Sequence, residues 1–250
     1  MRHERVNAIN PAAIGLAYIS AVVEVTYDWM DTPYCALESS GATASLAIVT
    51  TQGTVTWESK SPRTHAEELA PALSALLRTQ QLQPSDLRAI GFSSGPGSYT
   101  GLRIGAALAH GMSLGCGIPT VAVPTMHAIA WRAFSTGIWR GHQTGFTTLA
   151  SRKGHVYVGA FEMQDGLVRE KLAPSSSAIE DLGALESALA TAERPICRIG
   201  YLGAPCLPTA ADIAVLMPLF VDIPNSSPEP LYVTSFERQH STKPLPIEFR

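Results

Sequence analysis

IGFSSGPGSYTGLRIGAALAHGMSLGCGIPTVAV, residues 90–123, is the stretch from which the fold can be read. Ile90 and Phe92 alternate with smaller residues, the pattern of a buried strand. Residues 95–101, GPGSYTG, force a turn, because glycine tolerates positive φ and Pro96 fixes its own. No proline interrupts residues 102–114. There Ala106, Ala107, Ala109, Gly111, Ser113 and Gly115 predict an unusually thin helix, one that another backbone can approach closely. Gly117 and Pro119 stop it, and residues 120–123 read as the next strand.

Three familiar glycine-loop chemistries fail on this stretch. A phosphate-cradling P-loop needs Gly-Lys-Ser/Thr after its first glycine and four residues, and no lysine is near. A dinucleotide fingerprint needs a third glycine where Thr100 stands. A nucleophile elbow around Ser98 needs glycines where Pro96 and Thr100 stand. What remains is a tight strand-to-helix turn with a capped helix, whose first backbone N–H groups are suited to an anion.

Working outward, residues 34–37 are apolar, residues 38–41 turn-like, and residues 44–50 and 54–58 strand-like about Gln52-Gly53, an antiparallel meander of three strands. Thr64 and Glu67 have capping-box spacing ahead of a helix with Leu69, Leu73, Leu76 and Leu77 on one face, and Pro71 predicts a kink in it. The order is β-β-β-α-β-α, followed by the strand at 120–123. After a linking helix over 126–134 a fainter copy follows: strands at 146–149, 156–161 and 168–172, a helix over 179–191, a strand at 196–202 and a helix over 209–217. Two such copies imply a duplication with a cleft between the halves.

Composition bounds the function. With 46% hydrophobic residues in 250, the chain is able to bury a large core. A net charge of −3 without a lysine or arginine run argues against tight stand-alone nucleic-acid binding. Cys35, Cys116, Cys197 and Cys206 form no CxxC pair and read as reduced, buried cysteines of a cytoplasmic protein. Residues 11–25 are apolar but hold Glu24, lack a small-residue cleavage site and are too short to span a bilayer.

GPGSYTGLRIGAALAHGMSLGCGIPTVAVPTMHAIA, residues 95–130, resembles the signature of the TsaB (YeaZ) family. The likeness extends through LESSGATASLAIV at 37–49, THAEELAPALSALL at 64–77, SRKGHVYVGAF at 151–161 and PEPLYVTSFE at 228–237. It implies an α/β, actin-like ATPase (ASKHA, ribonuclease H-like) fold of two duplicated β-β-β-α-β-α halves, at 30–124 and 125–250. Residues 1–29 would then be an N-terminal extension, for which a misassigned start at Met30 is the preferred explanation and a real amphipathic extension the alternative. The implied function is a dimerisation subunit that binds TsaD for threonylcarbamoyl transfer to the tRNA adenosine beside the anticodon. A TsaE-like ATPase would join through the complex, tRNA would be met only indirectly, a homodimer is an option, and no membrane is involved. An active actin-like kinase and, behind it, a glycoprotease-type peptidase are the alternatives.

The resemblance also assigns residues. Glu38, Ser39 and Ser40 match the phosphate- and magnesium-facing hairpin of actin-like kinases, with glutamate where TsaB proteins usually carry aspartate. Together with Gly95, Gly97, Ser98, Thr100 and Gly101 they outline a vestigial nucleotide-type cleft, in which a structural role for Glu38 is favoured over magnesium binding. Ala150 stands where family members tend to carry a second carboxylate. The histidines four apart on a helix that mark TsaD have no counterpart, since His65 stands alone. No catalytic residue, cofactor or metal ligand is therefore expected. From the residues themselves, Arg103, the one charge in a long apolar stretch, is expected to pair with Glu38 or Glu67 rather than reach a partner's anion. The first two helices of the N-terminal half form the dimer face in TsaB, which nominates Leu69, Leu73, Leu76, Ala107, Gly111, Met112 and Gly115 as the partner interface.

Overall fold

A computed structural model describes residues 33–62 and 65–220 of the chain, without the side chain of His65. The expectations for residues 1–29, the Thr64 cap, His65 and the motif at 228–237 lie outside the described residues.

Strands β1 (Tyr34–Glu38), β2 (Ser45–Thr50) and β3 (Gly53–Glu58) form the meander, and helix α1 (His65–Thr79) follows. Then come β4 (Ile90–Gly95), α2 (Tyr99–Cys116), β5 (Thr120–Pro124) and α3 (Thr125–Ser135). The second half holds β6 (Thr144–Ala150), β7 (His155–Gln164), β8 (Leu167–Ala178), α4 (Leu182–Leu189), β9 (Ile196–Gly200) and α5 (Ala210–Leu216). The first sheet runs β3-β2-β1-β4-β5 and the second β8-β7-β6-β9. In each, the meander is antiparallel and the strand after the helix returns parallel to the first, as β1 with β4 and β6 with β9. The four-strand order thus occurs twice.

The inner strands β1, β2 and β4 are buried on both faces because both faces are covered. Side chains alternate along β1. Cys35 and Leu37 join Leu46, Ile48, Ile90 and Phe92 beneath Leu69, Leu73 and Leu77 of α1 and Ala106 and Ala109 of α2. Tyr34 and Ala36 face the opposite way, into a second cluster with Val49, Met126, Ile129, Phe161, Ile199, Ile213 and Met217. That second cluster draws on both sheets. Its helices are α3, which touches strands of both, and α5, which follows the second half's last strand yet packs on β1, β2 and β4 of the first sheet. The outer face of the second sheet is closed over Phe146, Val158 and Leu182.

Two local expectations, for the helix at 179–191 and the strand at 168–172, are corrected. Helix α1 runs through Pro71, an exposed position. A proline there frees the carbonyl of Glu67, which lies in the helix's exposed first turn, so water can satisfy it. The helix expected over 179–191 divides into a single 3₁₀ turn, Ile179–Asp181, and the shorter α4. Strand β8 is 12 residues long, far beyond the expected 168–172, and includes Pro174. It is an edge strand, where a missing N–H costs no ladder bond.

Candidate functional site

The predicted thin helix and the end of β1 meet at one corner. Ser98 caps α2, its Oγ accepting from the Gly101 N–H at 3.2 Å, so its hydroxyl has a structural occupation. The Ser98 N–H donates to the Ser40 carbonyl at 2.7 Å, fastening the loop to the β1–β2 turn. The glycines explain themselves at this contact. A Cβ on Gly101 would run into the Ser39 carbonyl oxygen, one on Gly105 into Ser39 Oγ, and one on Gly97 would lie 2.6 Å from Ser40 Cβ. They let the helix start seat directly on Ser39 and Ser40.

Glu38 turns into the protein and is 3% exposed. Its Oε1 accepts from the Ser40 N–H at 2.6 Å and from Ser40 Oγ at 2.5 Å. Its Oε2 is buried with no hydrogen-bond partner. Burial pushes the carboxyl up to about 7, against the Ser40 hydrogen bonds that hold it down, and Asp212 adds a further push. Asp212 belongs to α5. Its Oδ2 accepts from the N–H and hydroxyl of Thr209, both at 2.8 Å, and lies 3.7 Å from Arg132 Nη1. Burial raises its pKa too, against the Thr209 bonds and Arg132.

Between the halves opens a cleft of 1180 Å³. The β1–β2 turn (Ser40, Gly41, Ala42) and the α2 start (Gly97, Ser98, Thr100, Gly101) line one side. The β6–β7 hairpin and residues 200–207 line the other, with Ala150, Arg152, Tyr157 and Tyr201. Six of the eight residues nominated for the cleft therefore lie in or against it: Ser40, Gly97, Ser98, Thr100 and Gly101 in its lining, Ser39 beneath the helix start. Glu38 and Gly95 do not line it. Gly95, at φ +108°, ends β4 and donates its N–H to Thr125 Oγ1 at 3.1 Å. Ala150 lies in the lining, at the end of β6 as Glu38 lies at the end of β1.

The residues present do not fit a magnesium-bound nucleotide. Among the described residues no carboxylate lines the cleft, and the nearest in sequence, Glu38, spends Oε1 on Ser40. Nor does any group of three His, Cys, Asp or Glu gather as a metal site among them.

The nominated interface divides. Leu69 and Leu73 are 1% and 3% exposed and belong to the core beneath α1, so they are corrected: the apolar face of that amphipathic helix is spent on the sheet. Leu76 and Met112 are half-buried against the same cluster. Ala107, Gly111 and Gly115 are exposed, and a Cβ on Gly111 or Gly115 would meet nothing within 4 Å. Leu114, not among the nominated residues, is 88% exposed on this same face. Its position three residues after Gly111 was the available signal. Arg103 is also exposed, its guanidinium 3.8 Å over the Tyr99 ring. The cysteines are free, two buried and two half-buried. Among the described residues no helix is long and apolar enough to cross a membrane.

The family model for TsaD, tRNA N6-adenosine threonylcarbamoyltransferase, matches residues 43–188, more than half the chain. The tRNA threonylcarbamoyladenosine biosynthesis protein TsaB of Escherichia coli K12 is 31% identical over 106 residues, 42% of this chain and 44% of that protein. Its namesake in Bacillus subtilis 168 is 30% identical over 141 residues, 56% of this chain and 57% of that one. The chain thus spans about half the length of the curated relatives it matches. Among solved structures, YeaZ from Pseudomonas aeruginosa superposes with a TM-score of 0.65 at 24% identity, over 80% of this chain and 99% of that one. A further crystal structure from that organism, of an uncharacterized protein similar to peptidase YEAZ, gives 0.66 at 23% over 81% and 100%. The fold is the actin-like one.

Proposed function

The chain belongs to the family that the TsaD model describes, and within it to the TsaB (YeaZ) proteins, and on that premise we propose that it is a non-catalytic subunit of a tRNA N6-threonylcarbamoyladenosine-forming assembly. It binds a TsaD-like subunit, which carries the transfer of threonylcarbamoyl to the adenosine beside the anticodon. A TsaE-like ATPase joins through the assembly, and tRNA touches this chain only indirectly, in the cytoplasm. The observation that carries the reading is the outer face of α2: Ala107, Gly111 and Gly115, exposed with free space above the glycines, next to the fully presented Leu114. A helix side without bulk lets a partner helix approach backbone to backbone. Co-purification with the TsaD-like protein of the same organism tests it.

A second reading, an active actin-like kinase, is favoured by the size of the cleft, ample for a nucleotide. It needs a metal ligand that the described lining does not supply. Calorimetry with magnesium-ATP separates the two readings.

A further inference from the structure

The cleft between the halves is large enough to enclose a small organic molecule, and its lining defines which kind. One wall carries a cross-strand row, in which Leu149 of β6 pairs with Tyr157 of β7 and Tyr157 with Ser176 of β8, all three in the lining. Tyr201 and Leu207 join them, 60% and 55% exposed. The Tyr201 N–H donates to the Thr148 carbonyl at 2.9 Å and the Leu202 N–H to Thr148 Oγ1 at 2.9 Å, so the backbone that carries the second ring is pinned to β6. The facing wall adds Ile104 and Ala66. Two tyrosine rings in an apolar surround suit a flat, apolar body.

Charge narrows the choice further. Among the described residues Arg152 is the one charged side chain in the lining, and no carboxylate faces it there. Its Nη2 lies 3.3 Å from His155 Nε2, and His155 Nδ1 lies 3.4 Å from the Lys153 carbonyl. With Nδ1 donating to that carbonyl, Nε2 accepts from the guanidinium and steadies it at the β6–β7 turn, which leaves its other N–H donors for a ligand. The Cys206 thiol, pushed up to about 11 first by burial, stays neutral. Ser40 and Ser98 already serve Glu38 and the cap of α2, so Thr100, Ser151 and Ser176 are the lining hydroxyls without such a duty.

We propose that the cleft binds, without any metal, a small aromatic molecule that carries one carboxylate or sulfonate group. Its rings lie against Tyr157 and Tyr201, and its anionic group sits on Arg152. One guanidinium matches one such anion, which it holds through two parallel N–H bonds. A triphosphate brings several charges that neither this single cation nor a metal ligand of the lining balances. A cationic ligand finds no carboxylate to meet it. This site goes beyond the subunit reading and does not depend on it.

Fluorescence titration of the full chain with anilinonaphthalene sulfonate, an aromatic monoanion, tests it. Phenylnaphthylamine, the same rings without the sulfonate, is the neutral control. The sulfonate should bind about tenfold tighter than the neutral probe, as expected for one charge-assisted contact, and equally well with magnesium or with EDTA. Arg152→Met should remove that advantage and leave the neutral probe's affinity unchanged. Ala150→Asp, which sets a carboxylate in the lining two residues before Arg152, should do the same. Both positions are exposed, so the melting temperature should stay at the wild-type value. Tyr201→Ala should weaken both probes, and Leu114→Ser, on the outer face of α2, neither. Equal affinity for the two probes, a sulfonate affinity indifferent to Arg152→Met, Ala150→Asp or Tyr201→Ala, a requirement for magnesium, or loss of binding in Leu114→Ser would each overturn the proposal.

Discussion

Glycines that look alike in the sequence have opposite roles in the same helix. Gly101 and Gly105 are buried where α2 meets Ser39, and a methyl group at either position has no room. Gly111 and Gly115 stand in open space. Gly101→Ala should therefore cost about 1–3 kcal/mol through overpacking. Gly111→Ala should be neutral or stabilise by up to about 1 kcal/mol, since alanine is the better helix former. Urea unfolding of the two variants side by side checks this. Equal effects would mean that the contact with Ser39 is not what selects glycine.

At the scale of elements, α1 and α2 have each committed one face to the sheet, and the remaining faces are what a partner can meet. Leu73→Ala should lower stability by about 2–5 kcal/mol as a core truncation, seen as a fall in melting temperature. Any loss of partner binding would follow from that unfolding. Gly111→Leu should leave the melting temperature near wild type and abolish binding to a TsaD-like partner. A clash at the centre of an interface costs about 2 kcal/mol or more, roughly thirtyfold in dissociation constant. Circular dichroism melting and size exclusion with the partner are the paired measurements. Normal binding by a folded Gly111→Leu would place the interface elsewhere.

For the whole molecule, two buried groups oppose each other in their pH dependence. Glu38, raised from 4.5 to about 7, keeps its proton in the folded state while the unfolded chain loses it, so its contribution falls as pH rises from 4.5 to 7. His127 is wedged between the rings of Phe161 and Phe220, 3.8 Å from Glu170, and burial pulls it down from 6.5 to about 4. Its contribution rises over that interval, because only the unfolded chain takes up the proton. Each is worth about 3 kcal/mol at 1.36 kcal/mol per unit. Wild-type stability should change less between pH 4.5 and 6.5 than that of a variant lacking either group. Glu38→Gln should expose a rise across that window and His127→Gln a fall, measured by denaturant titration at each pH. At the same scale, calorimetry with magnesium-ATP should show no appreciable binding. Tight binding lost in a folded Glu38→Ala variant would promote the kinase reading.

Periodicity and punctuation determined the elements. An apolar run marked β1, alternation marked β4, residues 95–101 marked the turn into α2, and the recurrence of the meander pointed to two sheets of like order, because these signals act within a few residues of chain. The cleft's first wall was legible in the same way, through Ser40 and the glycine loop. The tertiary structure alone decided which leucines were spent on the core, since an amphipathic face does not say whether a sheet or a partner covers it. It alone turned Glu38 inward. It also set α5, from the far end of the second half, against β1, β2 and β4 of the first sheet, because no local pattern records where a helix will dock.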